Sequence, residues 1–225
     1  QSIQSVTFPA LAKISDNPTK FDEGYRRVLM LTAFIMLPVM TGLIATADDI
    51  YMLLLKPQWH PAIPYFRIMC LIGIFYPISA IAYNVLKVRS NGAIILRLEI
   101  IKKVIMTIIL ATTIPISVMA IAWGMVAAAA CEMVLNIGAT LRYAGLKLKS
   151  LVTTLLPIIA LTAVMYLATE MVGYQIENLA VGLRLVIKIG VGIISYVAIS
   201  FITQMEAFDE ALAIAKQFLN KQNKD

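Results

Sequence analysis

Apolar residues in this chain run in blocks long enough to cross a membrane, and polar residues gather in the short gaps between the blocks. A helix rises about 1.5 Å per residue, so about 20 apolar residues span a hydrocarbon core of roughly 30 Å. Val28–Ala47 meets that length with Pro38 and Gly42 inside it. Pro64–Leu86 meets it with a single charge, Arg67. Val104–Leu141 is nearly twice as long as one crossing needs and carries only Glu132. It must turn back on itself, and Pro115–Ser117 is the natural place, because proline ends a helix by lacking its N–H. Leu151–Met171 and Val181–Thr203 complete the pattern. The expected architecture is an all-α membrane protein with six transmembrane helices, at about 28–47, 64–86, 95–114, 118–141, 151–171 and 181–203.

Composition agrees. Of the 225 residues, 60% are hydrophobic and 14% charged, with a mean hydropathy of +0.83. Soluble domains carry about 25% charged residues, so this chain lacks the polar surface that water would require. Cys70 and Cys131 both fall in apolar runs and read as buried small hydrophobes rather than a disulfide or metal pair. A single histidine, His60, leaves no histidine-rich metal cluster to expect, and no metal or other cofactor is expected.

Charge sets the orientation. When the connections are assigned to alternate sides, one side takes all of the 19 basic residues except Lys56, Arg67, Arg184 and Lys188. By the positive-inside rule that side is cytoplasmic, which also puts the C-terminus in the cytoplasm. The basic residues are spread over several loops and form no single patch, so nucleic acid is not an expected partner.

Four segments follow from this reading. Residues 1–9, with Val6-Thr7-Phe8-Pro9, look like the end of a truncated upstream span. Residues 10–27 form a charged cytoplasmic connector, and 28–203 the transmembrane region. Residues 204–225 place Phe208, Leu212, Ala215 and Leu219 at helical spacing and read as a cytoplasmic amphipathic tail.

The order of motifs carries a resemblance. "VTFPALAKISDNPTKFDEGYRRVLML", Pro38 in the next span, "ADDIYMLLLKPQW" with "AIPYFRIM", "AYNVLKVRSNGA" and "AIAWGMVAAAACEM" together resemble Wzx-type polysaccharide exporters. These are O-antigen and lipopolysaccharide biosynthesis flippases of the multidrug/oligosaccharidyl-lipid/polysaccharide exporter superfamily. The resemblance implies the C-terminal part of a fourteen-helix transporter in the bacterial cytoplasmic membrane. It implies that an undecaprenyl-diphosphate-linked oligosaccharide is moved by alternating access. Other polysaccharide-assembly membrane proteins are then implied as partners, along with membrane lipid. Three alternatives stand beside it: a drug or cation antiporter, a peptidoglycan lipid flippase of the same superfamily, and a non-transporting scaffold of polysaccharide assembly. An enzyme is not expected, since no nucleophile–base pair, glycine-rich phosphate loop or carboxylate constellation is present.

Ionisable groups at membrane depth are costly and call for a reason. Arg67 lies about one turn into its span, where it either grips a phosphate or acidic sugar or snorkels to the outer interface. Glu132, among the small residues Ala127–Ala130, either takes a proton or sodium as coupling ion or hydrogen-bonds a neighbouring helix. Arg97 and Lys102 belong to a charged inner end with Glu99 and Lys103, in which Glu99 pairs locally with the lysines. The readings there are an anchor and a cationic vestibule for an anionic lipid headgroup. Trp59, Arg184 and Lys188 are expected as interface anchors. Asp48 and Asp49 are expected to cap an outer interfacial helix.

Overall fold

The computed structural model describes residues 18–143 and 147–222, with side chains between Lys20 and Ala213 and at Lys216. The expected upstream span end at residues 1–9 lies outside the described residues, as do residues 10–17 of the connector. Seven helices follow in order: α1 (Pro18–Leu54), α2 (Ile63–Arg89), α3 (Gly92–Thr113), α4 (Val118–Tyr143), α5 (Leu148–Gln175), α6 (Val181–Ile202) and α7 (Glu206–Gln222). A 3-10 helix, Pro57–Ala62, joins α1 to α2.

Each expected span corresponds to a helix, with 95–114 and 181–203 running one residue past theirs, and the long apolar block does turn, at residues 114–117. Ser117 accepts from the backbone N–H of Ala120 and so caps α4, while Asn91 accepts from Ile94 and caps α3. Among the described residues, five segments are long and apolar enough to cross a membrane: Lys20–Leu54, Pro57–Arg89, Val118–Tyr143, Leu148–Gln175 and Val181–Ile202. The sixth expected crossing, 95–114, corresponds to α3. Its 22 residues give about 33 Å of length, but Arg97, Glu99, Lys102 and Lys103 crowd its first half. Its apolarity therefore falls short where its length does not.

The central element is α1, against which α2, α5, α6 and α7 all pack. Phe21, Tyr25, Leu29, Ala33, Phe34 and Leu37 of α1 meet Ile78, Ile81 and Val85 of α2 and Leu151, Ile158 and Leu161 of α5 in one core. This core sits toward the end of the bundle where α1 begins. Because most basic residues also lie there, it is called the basic end. Outside the core, large apolar side chains are exposed along α3 to α6, as lipid contact demands.

In α1, helix begins at Pro18 rather than at 28 and continues through the region expected to start a separate outer helix. Proline is well tolerated in a first helical turn, where its missing N–H has no partner to lose. The capping role expected of Asp48 and Asp49 is corrected by this continuity, since no helix starts there. Their charges go instead to neighbouring helices.

Polar contacts from two residues, Asn136 and Thr140, join α4 to α2. Asn136 donates from Nδ2 to Ser79 Oγ at 2.8 Å, and the Thr140 hydroxyl donates to the Ala82 carbonyl at 2.8 Å. By contrast α3 packs along α4 and barely meets α2. At Gly124, a Cβ would lie 2.9 Å from Thr113 Cγ2, so the missing side chain lets α3 and α4 close together. The result is a hairpin hung on α2 by α4, with a cleft left between α2 and α3.

Candidate functional site: a charged cleft and a charged outer cluster

The cleft has a volume of about 230 Å³ and is lined by α2, α3 and α4, with Tyr76, Ser79, Glu99, Lys102, Lys103 and Glu132 among its walls. Lys102 is its centre. The ammonium pairs with Glu99 one turn earlier and reaches Glu132 Oε1 on α4 at 3.4 Å. It also lies 4.4 Å from the centre of the Tyr83 ring, and Lys87 lies 4.4 Å from the same ring. Two ammonium groups thus share one aromatic face system, which stabilises cations that carboxylates do not fully neutralise. Lys102 is nearly buried, with 9% of its side chain exposed, whereas Glu132 is 49% exposed and faces the opening. Glu132 lies 11 residues before the end of α4, about 16 Å along the helix. It is therefore well below the basic end.

Arg97 is not part of this cleft. Five residues separate it from Lys102, which at about 100° per residue turns it roughly 140° away, and its side chain is exposed. The expected Glu99–Lys102 pair is present. Cys70 is buried, but Cys131, expected to be buried, is exposed and lines the cleft. The apolar run around it marks a helix face that opens between α2 and α3.

A second group of charges lies toward the opposite end. Arg67 of α2 reaches Asp48 Oδ2 on α1 at 2.5 Å and also donates to the Ile44 carbonyl at 3.3 Å. Tyr166 of α5 lies within electrostatic reach of both Arg67 and Glu170. The guanidinium is therefore tied to α1 while 40% of its side chain stays open.

Beside it, Asp49 is only 1% exposed and takes two cations from α6. Arg184 pairs through Nε with one carboxylate oxygen, and Lys188 Nζ lies 3.2 Å from the other. Lys188 also donates to the Ala45 carbonyl at 2.8 Å. To get there it crosses α5 at Gly173, where a Cβ would come within 2.7 Å of Lys188 Cε. Arg184 and Lys188, expected at an interface, thus close on a carboxylate inside the bundle. Trp59, in the 3-10 helix, is 54% exposed at that end.

Sequence reasoning missed Tyr83 and the ion-pairing role of Asp49. The signal for Asp49 was present in the two unexplained cations of the last span, one helical turn apart, which require a buried anion. Tyr83 carried no signal beyond its place one turn before Lys87.

Among the described residues the chain is all-helical, a multi-pass membrane protein whose long apolar helices carry ion-paired charged groups. Residues 1–64 match a family described as polysaccharide biosynthesis protein. Over 100 residues, 44% of this chain and 20% of the relative, the chain is 24% identical to the lipopolysaccharide biosynthesis protein WzxC of Escherichia coli (strain K12). Over 103 residues, 46% of this chain and 21% of the relative, it is 24% identical to an uncharacterized membrane protein in the cps region of Klebsiella pneumoniae. The matched stretch spans about a fifth of the length of either relative. No solved structure matches the chain. These matches bear out the resemblance read from the sequence: the chain is similar to membrane proteins of polysaccharide biosynthesis and the flippase family.

Proposed function

We propose that this chain is part of a flippase that carries an undecaprenyl-diphosphate-linked oligosaccharide across the bacterial cytoplasmic membrane, for O-antigen or another surface polysaccharide. The observation that carries the reading is the cleft around Lys102, which presents cations, carboxylates and a tyrosine ring between helices. Moving a diphosphate and many hydroxyls through hydrocarbon costs many kcal/mol unless a polar route replaces their water. A cleft closed by α3 on one side supplies a wall of such a route, with Lys102 and Lys103 meeting phosphate and Glu132 at the opening as the site for a proton or sodium. Arg67, held open beside Asp48, serves the same path near its outer end.

In this reading the basic end and the C-terminus are cytoplasmic, and the protein is a transporter rather than an enzyme. The upstream spans implied by the resemblance supply the other lobe of the alternating-access cycle. Deleting the gene in a host that makes the polysaccharide tests this. Lipid-linked oligosaccharide should accumulate on the inner leaflet and clear when the gene is restored. Glycosyl transfer or hydrolysis by the purified protein would overturn it.

A further inference from the structure

The inner surface of α1 carries two adjacent guanidiniums, and α7 is docked on both. Arg26 pairs with Glu206, and Arg27 pairs with Glu210. The first pair is open to solvent, with side-chain exposures of 43% and 62%; in the second Arg27 is 57% exposed, while Glu210 is 26% exposed and turns its paired oxygen inward. Exposed pairs of this kind hold weakly and yield to competing ions.

The rest of the dock is small. Ala207 is buried, and Phe208 and Ala211 lean on the core, Phe208 with its ring 6.5 Å from that of Phe34. The segment that delivers α7 is a sharp one. Gln204 adopts φ of 48°, and the N–H groups of Gln204 and Met205 return to the carbonyls of Phe201 and Ser200. This closes α6 and lays α7 across the basic end.

Arg26 and Arg27 immediately precede the apolar run that starts at Val28, which puts them at headgroup depth. A planar guanidinium fork takes a phosphate in the same geometry as a carboxylate. The acidic first turn of α7, with Glu206 and Asp209, therefore occupies the place of an anionic headgroup.

We propose that Arg26 and Arg27 form a binding site for anionic phospholipid headgroups, and that lipid phosphate displaces the glutamates of α7 and releases it from α1. Once released, α7 exchanges its α1 contacts for the lipid interface. Its apolar residues Phe208 and Leu212 suit it to lie there. The site responds to the charge of the bilayer and is independent of whether the chain transports anything.

The test uses the full chain with Cys70→Ala and Cys131→Ala, spin-labelled at Leu212→Cys on α7 and Gly92→Cys at the start of α3. A side chain at Gly92 meets open space. In phosphatidylcholine nanodiscs, pulsed electron resonance should give one short distance. Adding phosphatidylglycerol should move most of the population to a longer one, whereas inorganic phosphate in neutral nanodiscs should not. Arg26→Gln with Arg27→Gln should give the long distance in neutral lipid and lose retention of phosphatidylglycerol in native mass spectrometry. Glu206→Gln with Glu210→Gln should give the long distance but strengthen that retention. A distance indifferent to lipid charge would overturn the proposal. So would phosphatidylglycerol retention indifferent to the two arginines, or an equal response to free phosphate.

Discussion

The hydroxyl of Tyr196 on α6 donates to the carbonyl of Phe34 on α1 at 2.8 Å. That carbonyl is the one left without its helical partner by Pro38, four residues later. The two rings also meet, with centroids 5.0 Å apart. Tyr196→Phe should keep the ring contact and lose about 1 kcal/mol of stability. In a Pro38→Ala background the helix supplies its own N–H, so the same substitution should cost much less. Thermal unfolding of the four variants in detergent reads the coupling directly.

Asp49, itself buried, neutralises two cations. Asp49→Asn leaves Arg184 and Lys188 without an anion and should cost about 3 kcal/mol or more. Replacing all three by Leu, Met and Met should recover most of that loss, because the charge burial disappears with the pair. If the single and triple variants melt alike, the cluster contributes through packing alone.

Lys188 needs the bare backbone at Gly173 to cross α5. Gly173→Ala should therefore lower the melting temperature, since the lysine is pinned at its ammonium and has little freedom to step aside. With Lys188→Ala the added methyl should be tolerated, so the two changes should fail to add.

Glu132→Gln keeps volume while removing charge at the mouth of the cleft. On the proposed mechanism it should fold and insert normally, lose ion-driven transport, and leave Lys102 paired with Glu99 alone. Arg67→Ala should mainly weaken substrate binding and also free Asp48. The readout is transport by the complete protein across pH and sodium concentration. Wild-type behaviour of Glu132→Gln would make Glu132 a packing residue.

Gln204 pays for a left-handed backbone that glycine adopts at no steric cost. Gln204→Gly should stabilise the junction of α6 and α7 by about 1 kcal/mol, partly offset by a freer unfolded chain. Reduced hydrogen exchange at Met205 and Phe208 is the expected signature.

The helices were legible because apolar run length is a local property, and the turn at 114–117 followed from a block too long for one crossing. The ends were less so. Nothing in the charged stretch before Val28 marks it as helix, and it becomes one by packing Phe21 and Tyr25 into the core. The charged sites were legible as residues but not as pairs. Arg184 and Asp49 stand 135 positions apart, and Arg67 and Asp48 stand 19 apart. No spacing rule connects such residues, and only the packing of α6 and α2 on α1 does. The same holds for α7, whose contacts with the core run through Ala207, Phe208 and Ala211.

The 37 residues of α1 amount to about 55 Å of unbroken helix, against a hydrocarbon thickness of roughly 30 Å. It is a strut that protrudes into water, and Pro38 sits near its midpoint with one fewer internal bond to resist bending. A strut weakened at its centre and gripped at both ends yields first at that centre. Arg26 and Arg27 load one arm, and Asp48 and Asp49 load the other. A bend at that point changes the angle between the arm that carries Arg26 and Arg27 and the arm that carries Asp48 and Asp49, and Tyr196 holds the carbonyl at the bend.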